Sequence, residues 1–214
     1  MLRKTTFFSV AFLFASVASA QISKGSLFFG GQISGYKNET ESGSGGSNHE
    51  NKGLIFSPAI GTAVRQNLIL GVDLTYAKYE IENLGFSEQE SRSFGGGIFV
   101  RRYVPLTNRF YFFGQGRAGY TNIDGEQNQG GTKTTSESHR IDLSLYPGVS
   151  FALTKSFHIE AGFNNLALIS YETGQSKQTG FSSTPVITEF SSLGFSSNVS
   201  ASNITFGFRF IIPK

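Results

Sequence analysis

Three histidines, His49, His139 and His158, are the first places to look for chemistry in this chain of 214 residues. His49 stands beside Glu50 in a Gly/Ser/Asn-rich stretch, and His139 follows Ser136, Glu137 and Ser138. Hydrolysis or acyl transfer by a hydroxyl needs a serine, a base to take its proton and a carboxylate to orient the base. Segments this rich in serine supply such neighbours by composition alone, and no spacing singles out one serine. No catalytic residue is therefore assigned. His158 and Glu160 alternate onto one face of a segment, but a metal site needs at least one further ligand. A structural hydrogen-bonding role is expected for them, with no metal and no cofactor. Cysteine is absent, which removes thiolate and disulfide chemistry.

Six other charged residues repeat a simpler theme. Asp73, Arg101, Arg117, Asp142, Glu160 and Arg209 each fall on alternate positions among small or polar residues. Taken in chain order they form acid–base couples: Asp73 with Arg101, Arg117 with Asp142, and Glu160 with Arg209. Lysine is missing from this set. Arginine suits enclosed carboxylates because its planar fork engages two oxygens at once. Unpaired charge away from water is costly, so an even match of three and three is what a closed interior requires.

Alternation of this kind places the six on β-strands, where successive side chains leave opposite faces. The end of the chain shows it most clearly. In "SNITFGFRFIIPK" Phe206, Phe208 and Phe210 share one face while Arg209 stands on the other. Eight such segments can be marked: 26–36, 54–64, 68–80, 93–103, 110–120, 140–151, 157–170 and 203–212. Each is long enough for a tilted membrane-crossing strand of roughly 9–11 residues. The connections alternate between short ("RQN", "VPLTNR", "LTKS") and long polar ones, the last running from 171 to 202 and containing apolar residues that extend strands beyond the membrane. Phe99, Tyr111, Phe113 and Tyr146 fall on the charged face, where their bulk would fill a lumen.

The fold expected is therefore all-β: an eight-stranded antiparallel up-and-down transmembrane β-barrel with short periplasmic turns and long extracellular loops. A soluble barrel with its apolar face inward is the competing architecture. The paired, lysine-free charges favour a polar interior and an outer wall facing lipid. Tyr36, Tyr76, Tyr79, Tyr103, Phe110, Tyr120 and Tyr171 lie near strand ends, where aromatic rings favour the membrane–water boundary.

The remaining composition agrees. Residues 1–20 show a basic start, a short apolar run and Ala18-Ser19-Ala20, the layout of a cleaved secretory signal, leaving 21–214 as one barrel domain. Removing Arg3 and Lys4 lowers the formal charge from +3 to +1, which argues against a nucleic-acid partner. Six bases (Lys24, Arg65, Arg102, Arg109, Lys155, Lys214) mark the short-turn end, while the long-loop end holds twelve acids against seven bases.

The stretches "FSPAIGTAVRQNLILGVDLTY", "FGGGIFVRRYVPLTNRFYFFGQGRAGY", "DLSLYPGVSFALTKSFHIEAGF" and "SSLGFSSNVSASNITFGFRF" resemble the outer membrane protein beta-barrel domain family of Gram-negative bacteria, a porin-like group. The resemblance implies an eight-stranded barrel in the outer-membrane bilayer. It also implies a final strand that is read by the barrel-insertion machinery. It implies no activity. The expected role is structural or surface-interacting, around a lumen filled by side chains. A narrow channel for small solutes is the alternative, and a lipid-modifying enzyme a third reading.

Overall fold

The computed structural model describes residues 21–40, 49–83, 87–163, 166–180, 185–197 and 204–214. The expected signal segment lies outside them. Ten antiparallel strands form one sheet: β1 Leu27–Thr40, β2 His49–Arg65, β3 Leu68–Asn83, β4 Ser87–Pro105, β5 Phe110–Gln129, β6 Thr132–Ala152, β7 Phe157–Phe163, β8 Ala167–Thr179, β9 Val186–Ser196 and β10 Ile204–Ile212. Neighbours in sequence pair in turn from β1 to β7. The last strand, β10, then pairs with both β7 and β1, so the sheet closes on itself. Over the rows Leu27–Ile33 the ring leaves no free backbone edge, while among the described residues β9 pairs with β8 alone.

Among the described residues ten strands stand in place of the eight expected. The segment 157–170 is broken into β7 and β8, and the stretch 171–202, expected as a long connection that extends strands, holds the upper part of β8 and all of β9. The break has a covalent cause. Pro147 of β6 has no N–H to offer, and pairing passes from β7 to β8 at this point. Gly148 opposes Gly162 while Leu145 opposes Ala167, so the register against β6 shifts by two residues between the two pairings. β8 and β9 then form a hairpin that prolongs the wall beyond β7 and β10.

Other strands also outrun their apolar alternation. β5 reaches Gln129 and β6 starts at Thr132, joined by Gly130-Gly131 with φ of 56° and 82°. Glycine takes that left-handed geometry without a Cβ clash, and two such residues make the tight turn whose twist suits a hairpin. At the opposite end Asn67 (φ 56°) closes the β2–β3 turn, a position asparagine tolerates well.

These extensions are knit by polar side chains. Lys133 lies 2.7 Å from Glu126 across the β5–β6 pair, and Lys78 contacts Glu80. The neighbouring ammonium holds each carboxyl, Glu126 and Glu80, below its ordinary value. A depressed carboxyl helps while ionised, so its contribution is present above about pH 4.5 and is lost as pH falls through the lower folded value. Protection against amide hydrogen exchange in the β5–β6 extension, taken relative to the intrinsic exchange rate at each pH, is accordingly expected to fall as pH drops through the lowered carboxyl value. Protection in the part of β5 around Ala118 should not follow.

Candidate functional site

The outer wall is apolar and exposed. On β3, Leu70, Val72 and Leu74 are 50, 51 and 53% exposed, and Ile98, Val100, Leu143, Leu145, Phe206, Phe208 and Phe210 face outward on other strands. Tyr36, Tyr76, Tyr120 and Tyr171 are exposed toward the long-loop side of this band. Tyr103 does not join them: it is buried inside, because it shares strand parity with Arg101 rather than with Val100 and Val104.

Inside, the six charges form two groups. Asp73, Gly97, Gly119 and Asp142 occupy one hydrogen-bonded row across β3, β4, β5 and β6. The guanidinium of Arg117, two residues along β5, lies across the two glycines. A Cβ on Gly119 would collide with its Nη1, and one on Gly97 would sit 2.9 Å from its central carbon. Glycine leaves the floor flat at this crossing. Arg117 Nε donates to both Asp73 oxygens at 2.9 and 3.0 Å, and Nη1 donates to Asp142 Oδ2 at 3.0 Å. One fork thus bridges two carboxylates.

The second group fills the waist of the barrel. Arg101 Nη1 donates to Glu160 Oε2 at 2.6 Å, and Arg101 Nε to Gln115 at 2.8 Å. Tyr103 donates its hydroxyl to Glu160 Oε1 at 2.6 Å. Arg209 Nε lies 3.2 Å from Glu160 Oε2 without hydrogen-bond alignment, while its Nη1 donates to the carbonyls of Gly31 and Phe208. Arg101 and Arg209 are each 1% exposed. The central carbon of the Arg101 guanidinium stands 4.4 Å from the Phe113 ring centroid and 5.4 Å from that of Phe28, so aromatic faces share in holding the charge.

The expected couple Asp73–Arg101 does not form. Asp73 is level with Gly97, four residues along β4 from Arg101, and the buried Phe99 intervenes on the same face. Arg101 instead reaches Glu160 across the interior. Of the other couples, Arg117–Asp142 is made but shared with Asp73, and Glu160–Arg209 is made but shared with Arg101. Chain order pairs neighbours, whereas a closed ring also brings opposite walls together. Phe99, Tyr111, Phe113 and Tyr146 are all buried in this filling.

Replacing Arg117 by Ala is expected to lower the unfolding free energy by about 1–3 kcal/mol, and the urea midpoint with it, since Asp73 and Asp142 would face each other without their shared donor. Arg117→Lys should recover little, because an ammonium cannot bridge both with one plane. Urea unfolding of the refolded protein measures both; an unchanged midpoint would take this bridge out of the stability of the barrel.

The histidines are spread apart. His49 Nδ1 contacts Asn83 Oδ1, and His139 Nδ1 contacts Asn122 Oδ1 at 2.6 Å and the Tyr120 hydroxyl at 3.0 Å. His158 forms a pair that sequence order concealed, with Ser150 Oγ 3.1 Å from its Nδ1. Both are buried, and the Tyr111 ring lies 5.4 Å from the imidazole. The two oxygens of Glu160 accept from Tyr103 and Arg101, and no hydrogen bond joins them to His158 among the described residues. The arrangement packs the interior at the turn end of the barrel.

No family model matches the chain, and no curated protein matches it. Among solved structures it is similar to Neisserial surface protein A, at 15% identity over 86% of this chain and 96% of that one, with a TM-score of 0.45. It is also similar to the translocator domain of the autotransporter NalP from Neisseria meningitidis, at 9% identity over 88% and 87%, with a TM-score of 0.38.

Two cavities flank the waist. One of about 370 Å³ lies toward the long loops and is lined by Asp73, Arg117, Asp142 and hydroxyls such as Ser57, Thr75 and Ser144. The other, about 720 Å³, lies at the short-turn end against Ile22, Tyr111, His158 and Ile211. They share no lining residue. Between them stand Tyr103, Glu160, Phe28 and Phe113. The N-terminal segment adds a lid at the turn end, with Ile22 buried and its N–H donated to Asn67 Oδ1 at 2.8 Å.

Proposed function

We propose that the chain is an integral β-barrel of a bacterial outer membrane, exported by a signal at residues 1–20 that is then cleaved. In this reading it belongs with the outer membrane protein beta-barrel domain family. Its role is structural: it anchors acid-rich strand extensions and loops at the cell surface. The observation that supports this is the distribution of side chains about the ring. Large apolar groups stand exposed on the outer wall, while three arginines and three carboxylates are enclosed and paired within. A barrel built for water would be inverted.

Eight strand paths cross the membrane in this reading, with β7 prolonged by β8 and β10 by β9. The short turns face the periplasm, where six exposed bases gather (Lys24, Arg65, Arg102, Arg109, Lys155 and Lys214). The insertion machinery reads the final strand, whose Phe206, Phe208 and Phe210 face lipid. No enzymatic role is ascribed, and the surface partner is left open.

A solute channel is the second reading, favoured by the 370 Å³ polar cavity that meets the loop side. The packed waist below it, with Arg101 and Arg209 almost wholly enclosed, favours a filled lumen instead. Purified protein in planar bilayers is expected to give only rare, brief current steps. Steady single-channel conductance at the same protein density would replace the anchoring role by transport.

A further inference from the structure

On the outer wall near the turn end, Arg65, Leu68, Arg102 and Gly114 occupy one hydrogen-bonded row across β2, β3, β4 and β5. Paired residues share a face, and Leu68 has the parity of the exposed Leu70 and Val72, so both arginines face outward. Two strand spacings separate them, roughly 10 Å. Arg102 lies between the exposed Val100 and Val104 on its own strand, and Leu106 extends the apolar surface below it. Neither arginine makes an ion pair among the described residues. These are exposed guanidiniums set within an apolar surface, each lacking a protein anion.

Directly above this row the wall is hollow. The outward positions of β5 after Phe112 are Gly114, Gly116 and Ala118, until Tyr120. A Cβ on Gly114 would meet nothing within 4 Å, and one on Gly116 would lie 3.8 and 4.0 Å from the Val100 and Leu145 side chains. Those two side chains are the banks of a trough. Its apolar walls also include Leu70, Ile98, Leu143 and Ile169, and it encloses about 640 Å³. From Gly114 to Tyr120 the strand rises roughly 20 Å.

An anion-seeking end joined to an apolar trough matches one kind of molecule in a bilayer. Resting on the membrane reading above, we propose that this face binds a glycerophospholipid of the periplasmic leaflet. Its phosphodiester lies between Arg102 and Arg65, and one acyl chain lies along Gly116 and Ala118. Arginine engages phosphate through two parallel N–H donors, and its long side chain can lift the charge to headgroup depth. The glycines are then the lipid's floor rather than a packing accident.

The test is native mass spectrometry of the folded, detergent-purified protein titrated with palmitoyl-oleoyl phosphatidylglycerol. One lipid is expected to remain bound, and the uncharged palmitoyl-oleoyl glycerol is expected to bind at least tenfold more weakly. Arg65→Gln with Arg102→Gln should reduce phosphatidylglycerol binding about tenfold. Gly116→Leu should do the same by filling the trough while leaving both guanidiniums; Ala118→Phe serves if that variant does not fold. Folding of each is checked by heat-modifiable migration in SDS gels. Equal lipid retention by the wild type and all folded variants would overturn the site. A wild-type chain that resists carbonate extraction from vesicles yet retains lipid indifferently would defeat this proposal alone. A chain released by carbonate would defeat the membrane reading beneath it.

Discussion

Replacing Glu160 by Gln is expected to be the most damaging single change in the interior, costing about 3–5 kcal/mol of folding stability. Glu160 is, among the described residues, the one carboxylate in contact with two buried guanidiniums, those of Arg101 and Arg209. A carboxamide keeps the size but not the charge, so two like cations would remain enclosed beside the Phe28 ring that both approach. Tyr103 would also lose the anionic acceptor for its hydroxyl. Urea unfolding in detergent micelles, followed by tyrosine fluorescence and heat-modifiable migration, measures the loss. A midpoint equal to that of the wild type would mean that the waist is held by packing alone.

A companion variant separates charge from shape. Changing Arg101 and Arg209 to Met together with Glu160→Gln removes every ion from the waist while keeping most of its volume. Well-packed apolar replacements of buried ion clusters are often neutral or stabilising. The triple variant is therefore expected to regain most of the stability lost by the single one. Should it be less stable than Glu160→Gln alone, the aromatic surroundings of Arg101 contribute more than its ionic partner does.

Which contacts could be read from the chain follows from what each pattern encodes. Alternation divides residues between two faces, so Arg101, Arg117 and Arg209 separate from Val100, Ala118 and Phe208 without knowledge of the fold. It says nothing of which opposite wall a long side chain will reach, and Asp73–Arg101 fails for that reason. Register decides it: Asp73 is level with Gly97 and Gly119, and those glycines let Arg117 lie flat between two acids. The extensions of β5, β6 and β8 are hidden on different grounds. Both of their faces are polar, as in "NIDGEQNQ", so no apolar period marks them, whereas Val186, Ile187, Phe190, Leu193 and Phe195 mark β9. Pairing of these extensions rests on backbone hydrogen bonds and cross-strand contacts such as Glu126–Lys133. The change of partner at Pro147 is legible as a proline within a strand, but which strand takes over the pairing is not.

The outer wall makes the second large prediction. Phe208→Arg is expected to destabilise the bilayer-inserted barrel by about 2–4 kcal/mol, the cost of a guanidinium on the lipid face near mid-depth. Phe208 stands between Phe206 and Phe210 on β10, each exposed outward, with no carboxylate on that face of β10 to offset a new cation. The same substitution at Ser191 is the control. That residue lies on the exposed β9, opposite Thr173 of β8 and beyond the level of Tyr171, so its side chain would meet water and headgroups. The change there should stay within about 0.5 kcal/mol. Reversible unfolding from phosphatidylcholine vesicles measures both. The contrast between the positions is the decisive quantity, since hydrocarbon penalises charge by depth whereas water does not. Equal tolerance at Phe208 and Ser191 would mean that the aromatic face of the closing strand lies against something other than lipid.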